Sequence, residues 1–293
     1  MLQAMSRVGM NTAQLTTEEL TYVDQRIVET VRPKVVGRIL FPVFRLPHAG
    51  FTKVRGYRQT DMSQARISLH GQGKNKDRSE KESFDITVPT IHKEFTIWWR
   101  DLEATRSSGL PLDTQEAENA ARQVAEEEDK LLLTGEHTGW PALGIEGLAT
   151  ATGRNTKASA GAWPTNSLTD LSAAIGELEA DGHMGPYACV LRSSWAAKLR
   201  ALISNTATKW LEVIQDLFKA GIHVSDSLYT SAGATTSALV VEPANANFEM
   251  VIEKDLELFT MQDEDMNLQC KVLEVVAPRI KRPASICEIT GLT

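Results

Sequence analysis

An α+β fold is what this sequence predicts, and three stretches carry that expectation. Residues 113–134 form one long amphipathic helical pattern, residues 168–253 alternate helical and strand-like runs, and extended segments stand at 51–99 and 268–292. Helices and strands that are partly segregated and partly alternating describe an α+β chain with an α/β unit set inside it. At 293 residues and 42% hydrophobic, the chain has apolar material for one large or two modest cores.

Taken in order, residues 16–32 (TTEELTYVDQRIVETVR) read as an amphipathic helix. Thr16 and Glu19 fit a capping box, Leu20, Val23, Ile27 and Val31 share a face, and Pro33 ends it. Such a helix must dock on its own body or on a neighbour. The run GRILFPVF (37–44) suggests a buried strand interrupted by Pro42. Residues 51–69 and 84–99 read as extended, and between them lies HGQGKNKDRSEKES (70–83), which has no apolar residue. The expectation is a strand, a polar tip and a strand: a hairpin with little core of its own that needs a partner surface.

Residues 106–111 (RSSGLP) read as a loop. In the helix at 113–134, Asp113 can cap, and Ala117, Ala121, Val124, Leu131 and Leu132 supply the buried stripe, with Ala120 and Ala125 at its borders. Gly135 ends it. The stretch 139–167 is rich in glycine and threonine and reads as surface. Helices at 168–181, 193–202 and 209–221 then alternate with strands at 187–191, 222–225, 238–242 and 248–253, with a loop at 204–208. Strands close the chain at 268–280 and 284–292.

Composition excludes several classes. No stretch approaches the roughly 20 apolar residues that cross a bilayer, and the opening residues lack the apolar core of a signal peptide. Cys189, Cys270 and Cys287 are odd in number and without CxxC spacing, which argues for a reducing compartment and no disulfide framework. Residues 1–60 hold nine Lys/Arg against four acids, a local +5, so the remainder carries −12 of the total −7. A basic front on an acidic body fits nucleic acid contact, or copies of one chain attracting head to body.

Chemistry-bearing motifs are absent. GQGKNK lacks the GxxxxGK[ST] spacing, has no Ser or Thr after its lysine, and precedes a strand instead of the helix whose amides would face phosphates. The six histidines form no metal-ligand spacing. Glu126, Glu127, Glu128 and Asp129 fan around a helix and cannot converge on a cation, so a solvated or intersubunit face is expected of them. Ser193-Ser194 opens a helix without a GxSxG elbow, and the six tryptophans fall in different elements, as packing and interface anchors do. No catalytic, cofactor or metal site is expected.

Order and local phrases together resemble one family, the Hong Kong 97-like shell proteins shared by tailed-virus major capsid proteins and encapsulins. LTTEELTYVDQRIVETVRPKVVGRILFPV (15–43) is similar to the family's opening helix and "GR" strand. VPTIHKEFTIWWRDLEATRSSGLPLDTQEAENAARQVAEEEDKLLLTG (88–135) resembles its strand, loop and spine helix. GIEGL (144–148) resembles the "GxxGL" that follows, and GPYACVLRSSWAAKL (185–199) the "GPY" strand and helix of encapsulins. The resemblance implies an N-terminal arm and helix at 1–48, an extended loop at 49–90 lying over a neighbour, a peripheral domain at 91–139, an axial α/β domain at 140–249, and return strands to the peripheral domain at 250–293.

The expected function is therefore structural: a self-assembling subunit of an icosahedral shell, and no enzyme. The Pro42-Val43 step and the long hairpin resemble phage capsid proteins more, which implies a virion, packaged DNA without sequence specificity, and portal, decoration or separate scaffolding proteins. The alternative is an encapsulin, a cytoplasmic nanocompartment around a cargo enzyme; the remote one is a soluble α/β enzyme using 140–250. In either shell the partners are many copies of the chain itself, as pentamers with or without hexamers. Expected intersubunit contacts are Arg32, Lys34, Arg38, Lys74, Lys76, Arg78, Glu126, Glu127 and Asp129. Ser204, Asn205, Thr206, Ala207 and Thr208 would lie at the capsomer axis.

Overall fold

A computed structural model describes the chain except residues 1–14, 16–18, 20, 24, 28–34, 49, 60–61, 66, 68, 70–77, 109–112, 136–142, 205, 229–237 and 293. Two sheets and one long helix organise it. A four-stranded sheet has the order β1 (Val43–Arg45), β9 (Phe248–Gln262), β10 (Leu268–Ile280), β4 (Thr90–Ile97). A five-stranded sheet has the order β5 (Asn155–Ala158), β11 (Ile286–Thr290), β8 (Ala238–Val241), β6 (Ala188–Leu191), β7 (Ile222–Val224). A separate hairpin pairs β2 (Lys53–Gln59) with β3 (Lys81–Thr87).

The spine helix α4 (Gln115–Thr134) lies on the four-stranded sheet. Its apolar stripe is the expected one: Ala117, Ala121, Val124, Leu131 and Leu132 are buried, and so are the border residues Ala120 and Ala125. Asp113 accepts the Gln115 N–H at 2.9 Å, so the first turn gains a partner for a free donor. Gly135 follows in the left-handed region at φ 78°, where a side chain would strain the backbone. The N-terminal helix α1, described at 19, 21–23 and 25–27, docks on its own body: Val23 and Ile27 join the core that holds Leu131 and Leu132. Arg106 of α3 (Trp99–Ser108) pairs with Glu19 through two contacts of 2.9 and 3.1 Å.

The second core fills the five-stranded sheet and its helices α5 (Ser167–Ala180), α6 (Ser193–Leu199) and α7 (Trp210–Gln215). Trp163 and Trp195 meet edge to face at 6.0 Å, and the Trp163 indole N–H donates to buried Asp170 at 2.8 Å.

Four expectations are corrected. GRILFPVF is not one strand: Gly37–Leu40 is a short helix, α2, and only Val43–Arg45 is extended. Residues 84–99 are not one strand either; β3 belongs to the hairpin and β4 to the large sheet, with a break at Val88-Pro89. Residues 106–108 are the last turn of α3 and not loop. The tail divides: β9 and β10 build the four-stranded sheet, but β11 leaves it and pairs with β5 and β8 in the other. Burial of Ile286, Cys287 and Ile289 between two layers fixes that crossing.

Candidate assembly surface

The opening segment is fastened to the body by charge. Gly37 lies so close to α4 that a Cβ there would stand 2.5 Å from the Leu132 Cδ1 atom. At that distance its N–H donates to Asp129 Oδ1 at 2.7 Å. Asp129 also accepts from the Ser225 hydroxyl, joining α2, α4 and the loop after β7. One residue on, the Arg38 Nε donates to Glu128 at 2.7 Å, its Nη1 to Asp255 at 2.9 Å and its Nη2 to Glu274 at 2.9 Å. Arg45 Nη2 reaches the other Asp255 oxygen at 2.8 Å.

Burial decides the protonation tendencies here. Glu128 and Glu274 are 0% exposed and Asp129 2%. Desolvation raises Glu128 to about 7 against the pull of Arg38, and lifts Glu274 well above the usual carboxylate range. Desolvation likewise raises Asp129, opposed by hydrogen bonds from Ser225 and Gly37. Desolvation would raise Asp255 as well, but hydrogen bonds from Arg45 and Arg38 outweigh it and hold it low. Desolvation works to lower Arg38, yet the charges of Glu128 and Glu274 hold it above its ordinary value.

Arg38 and Asp129 were expected at an intersubunit face; Asp129 is buried, and Arg38, half-buried, spends its guanidinium on acids of its own chain. Residues 126–129 do fan around the helix, but Glu128 and Asp129 fall on its buried side, while Glu126 and Glu127 stay half-exposed beside Arg122 and Lys130. Sequence reasoning missed Glu274, Asp255 and Ser225. For Glu274 a signal existed: it is the lone acid in the otherwise apolar stretch VLEVV, and a charge there must be paired.

The hairpin is built differently. Gly56 faces Phe84 across the ladder, and a Cβ at 56 would stand 2.6 Å from the Phe84 ring. The ring lies flat across the glycine, and the Arg58 guanidinium covers it at 4.7 Å. Arg55 pairs with Asp85 at 2.9 Å on the exposed side. Its base rests on β10 through a small cluster of Ile86, Val88 and Ala277. Arg78 is exposed; Lys74 and Lys76 lie outside the described residues, as do Arg32 and Lys34.

The loop at 204–208 is closed at its base. Leu202 and Lys209 bridge across it, and the Ile203 N–H donates to the Thr208 carbonyl at 3.0 Å. Ser204, Thr206, Ala207 and Thr208 are exposed, and Asn205 lies outside the described residues. Among the described residues no cluster of His, Cys, Asp and Glu could hold a metal ion, and no helix is long and apolar enough to cross a membrane. Desolvation raises all three buried thiols, Cys270 to about 12 and Cys287 to about 11. Burial of this kind makes a structural cysteine and not a reactive one.

A spine helix on a long-stranded sheet, a second α/β layer, a projecting hairpin and a helical arm make up the Hong Kong 97-like fold, which solved structures share. A virus-like particle protein from Pyrococcus furiosus aligns at TM-score 0.69 and 18% identity over 93% of this chain and 98% of that one. The capsid protein of the myovirus phage XM1 aligns at 0.66 and 14% identity over 96% and 95%.

The Linocin_M18 family, described as encapsulating protein for peroxidase, matches residues 5–277, so the chain belongs to that family. The type 1 encapsulin shell protein EncA of Myxococcus xanthus DK1622 is 29% identical over 279 residues, 94% of either chain. The family is structural and not enzymatic. These matches favour the encapsulin reading over the viral one that the Pro42-Val43 step and long hairpin had suggested; the phage likeness is one of fold.

Proposed function

We propose that the chain is the shell subunit of an encapsulin-type nanocompartment, whose copies close into an icosahedral shell around a cargo protein in the cytoplasm. The end-to-end match to an encapsulin shell protein carries this reading. The mechanism is geometric. The hairpin has too little core to pack on itself and extends onto a neighbouring subunit, led by Lys74, Lys76 and Arg78. Glu126 and Glu127 on the spine helix offer half-exposed acids to a neighbour's basic Arg32 and Lys34. Ser204, Asn205, Thr206, Ala207 and Thr208 meet their copies around the capsomer axis, in pentamers with or without hexamers. Many weak contacts repeated by symmetry then hold the closed shell.

Negative-stain microscopy of the purified chain, with analysis of what co-purifies, tests the proposal. Small uniform shells containing a second protein and no DNA are expected. A persistent monomer at every salt and pH overturns the shell. Large DNA-filled heads would instead establish a second reading, supported by the phage-capsid fold: a tailed-virus major capsid protein with portal, decoration and scaffolding partners. Charge reversal at Arg32 and Lys34 together is expected to weaken assembly, most strongly at low salt. Unchanged assembly and salt dependence would remove the electrostatic part.

A further inference from the structure

Among the described residues, the carboxylates around Arg38 outnumber the cations that pair with them. Arg38 and Arg45 face Glu128, Asp255 and Glu274, which leaves one negative charge in excess. Asp255 bonds both arginines and is 36% exposed, so it remains the ionised member. The excess therefore falls on Glu128 and Glu274, whose side chains are 0% and 1% exposed. Arg38 serves both Glu128 oxygens with its Nε but only one oxygen of Glu274. The other, Glu274 Oε1, is buried without a hydrogen-bond partner.

Among the described residues, no surrounding element supplies another cation. On α4 the adjacent charge is Asp129, a further acid, already bonded to Gly37 and Ser225. On β4 the residue opposite Glu274 is Ile91. On β9, Lys254 pairs with Glu257, and on β10, Lys271 pairs with Glu94. A buried carboxylate with an orphaned oxygen and no spare counter-charge is expensive, and taking up a proton removes most of that cost.

We propose that this cluster is a proton-binding site: Glu128 and Glu274 hold one proton between them in the folded subunit, and losing it loosens the seating of α2 and α4 on the β9–β10 ribbon. The ligand is a proton and the consequence is a subunit whose stability reports pH. Burial acts in the same direction on both carboxyls, raising Glu128 from 4.5 to about 7. A carboxyl raised by folding binds its proton more tightly in the native state. Its favourable contribution is complete below pH 4.5 and declines as pH climbs through about 7. The site lies within one subunit, so it stands whether or not the chain encloses cargo.

Thermal and denaturant unfolding of the assembled protein, compared with Glu274→Gln between about pH 5 and about pH 8, tests the site. Relative to the variant, the wild type is expected to lose on the order of a hundredfold in its folding equilibrium constant across that range. Parallel pH profiles overturn the proposal. Should Glu274→Gln fail to fold, infrared spectroscopy of wild-type particles decides. A carboxylic-acid carbonyl band is expected to persist at about pH 6, where ordinary carboxyls are ionised. Its absence there overturns the site.

Discussion

Two antiparallel ribbons stand in this molecule, and they owe their order to different things. The β9–β10 ribbon, with strands of 15 and 13 residues, is flanked by β1 and β4 and covered by the spine helix. Leu268, Val272 and Val276 of its inner face are buried. The β2–β3 ribbon has 7 residues in each strand, and among its described side chains only Gly56 and Ile86 are buried. One ribbon is a layer of a core. The other is held by cross-strand pairs and a foothold on Ala277, and such a hairpin is marginal without a surface to lie on. Strand-forming residues make both; only the second leaves most of its described surface exposed.

That contrast predicts that damage to the long ribbon unfolds the subunit and damage to the hairpin unfastens the shell. The largest effect is expected from Arg38→Ala, which leaves Glu128 and Glu274 buried without their shared cation and costs about 3–5 kcal/mol of subunit stability. Denaturant unfolding measures it, and a loss under about 1 kcal/mol would mean that the acids find relief elsewhere. Leu268→Ala opens a cavity in the long ribbon and is expected to cost about 2–4 kcal/mol by the same measurement.

In the hairpin, Phe84→Ala uncovers Gly56 and removes the ring beneath Arg58. It is expected to lower subunit stability by about 1 kcal/mol. Deleting residues 71–82 is expected to leave subunit unfolding nearly unchanged while particles form poorly or melt earlier in size-exclusion and light-scattering assays. Normal, equally stable particles would break the comparison. The smallest effect belongs to Arg55→Ala, whose exposed pair with Asp85 is expected to leave subunit melting unchanged.

Local pattern made much of this architecture legible. The spine helix, the tail strand at 268–280 and the helices of the α/β unit came from periodicity, because one solvated face repeats at a fixed spacing. What escaped was decided from afar. GRIL is a short apolar run that suits a strand as well as a helix, and its helical form depends on a hydrogen bond from Gly37 to Asp129, 92 positions away. Val88 and Pro89 break the 84–99 run into strands of two different sheets, a choice made by β10 and β2 as partners. At the candidate surface, Glu128 and Asp129 stand four residues after Val124 and Ala125 and three before Leu131 and Leu132, so helix geometry already places them on the buried side. What local pattern could not show was the cation that meets Glu128 there, because Arg38 arrives from the opening segment.

The Arg38 connection also has a temporal side. Its partners Asp255 and Glu274 lie 217 and 236 positions further along the chain, and β1 pairs with Met250–Ile252 of β9. A chain emerging from the ribosome has its arm and spine helix long before it has the strands that close over them. Contacts so distant in sequence form slowly, and partly made layers are prone to wrong association. The four-stranded sheet is therefore completed only after residues 248–280 have been synthesised. Until those strands exist, a nascent subunit has no finished layer on which its opening segment and spine helix can settle.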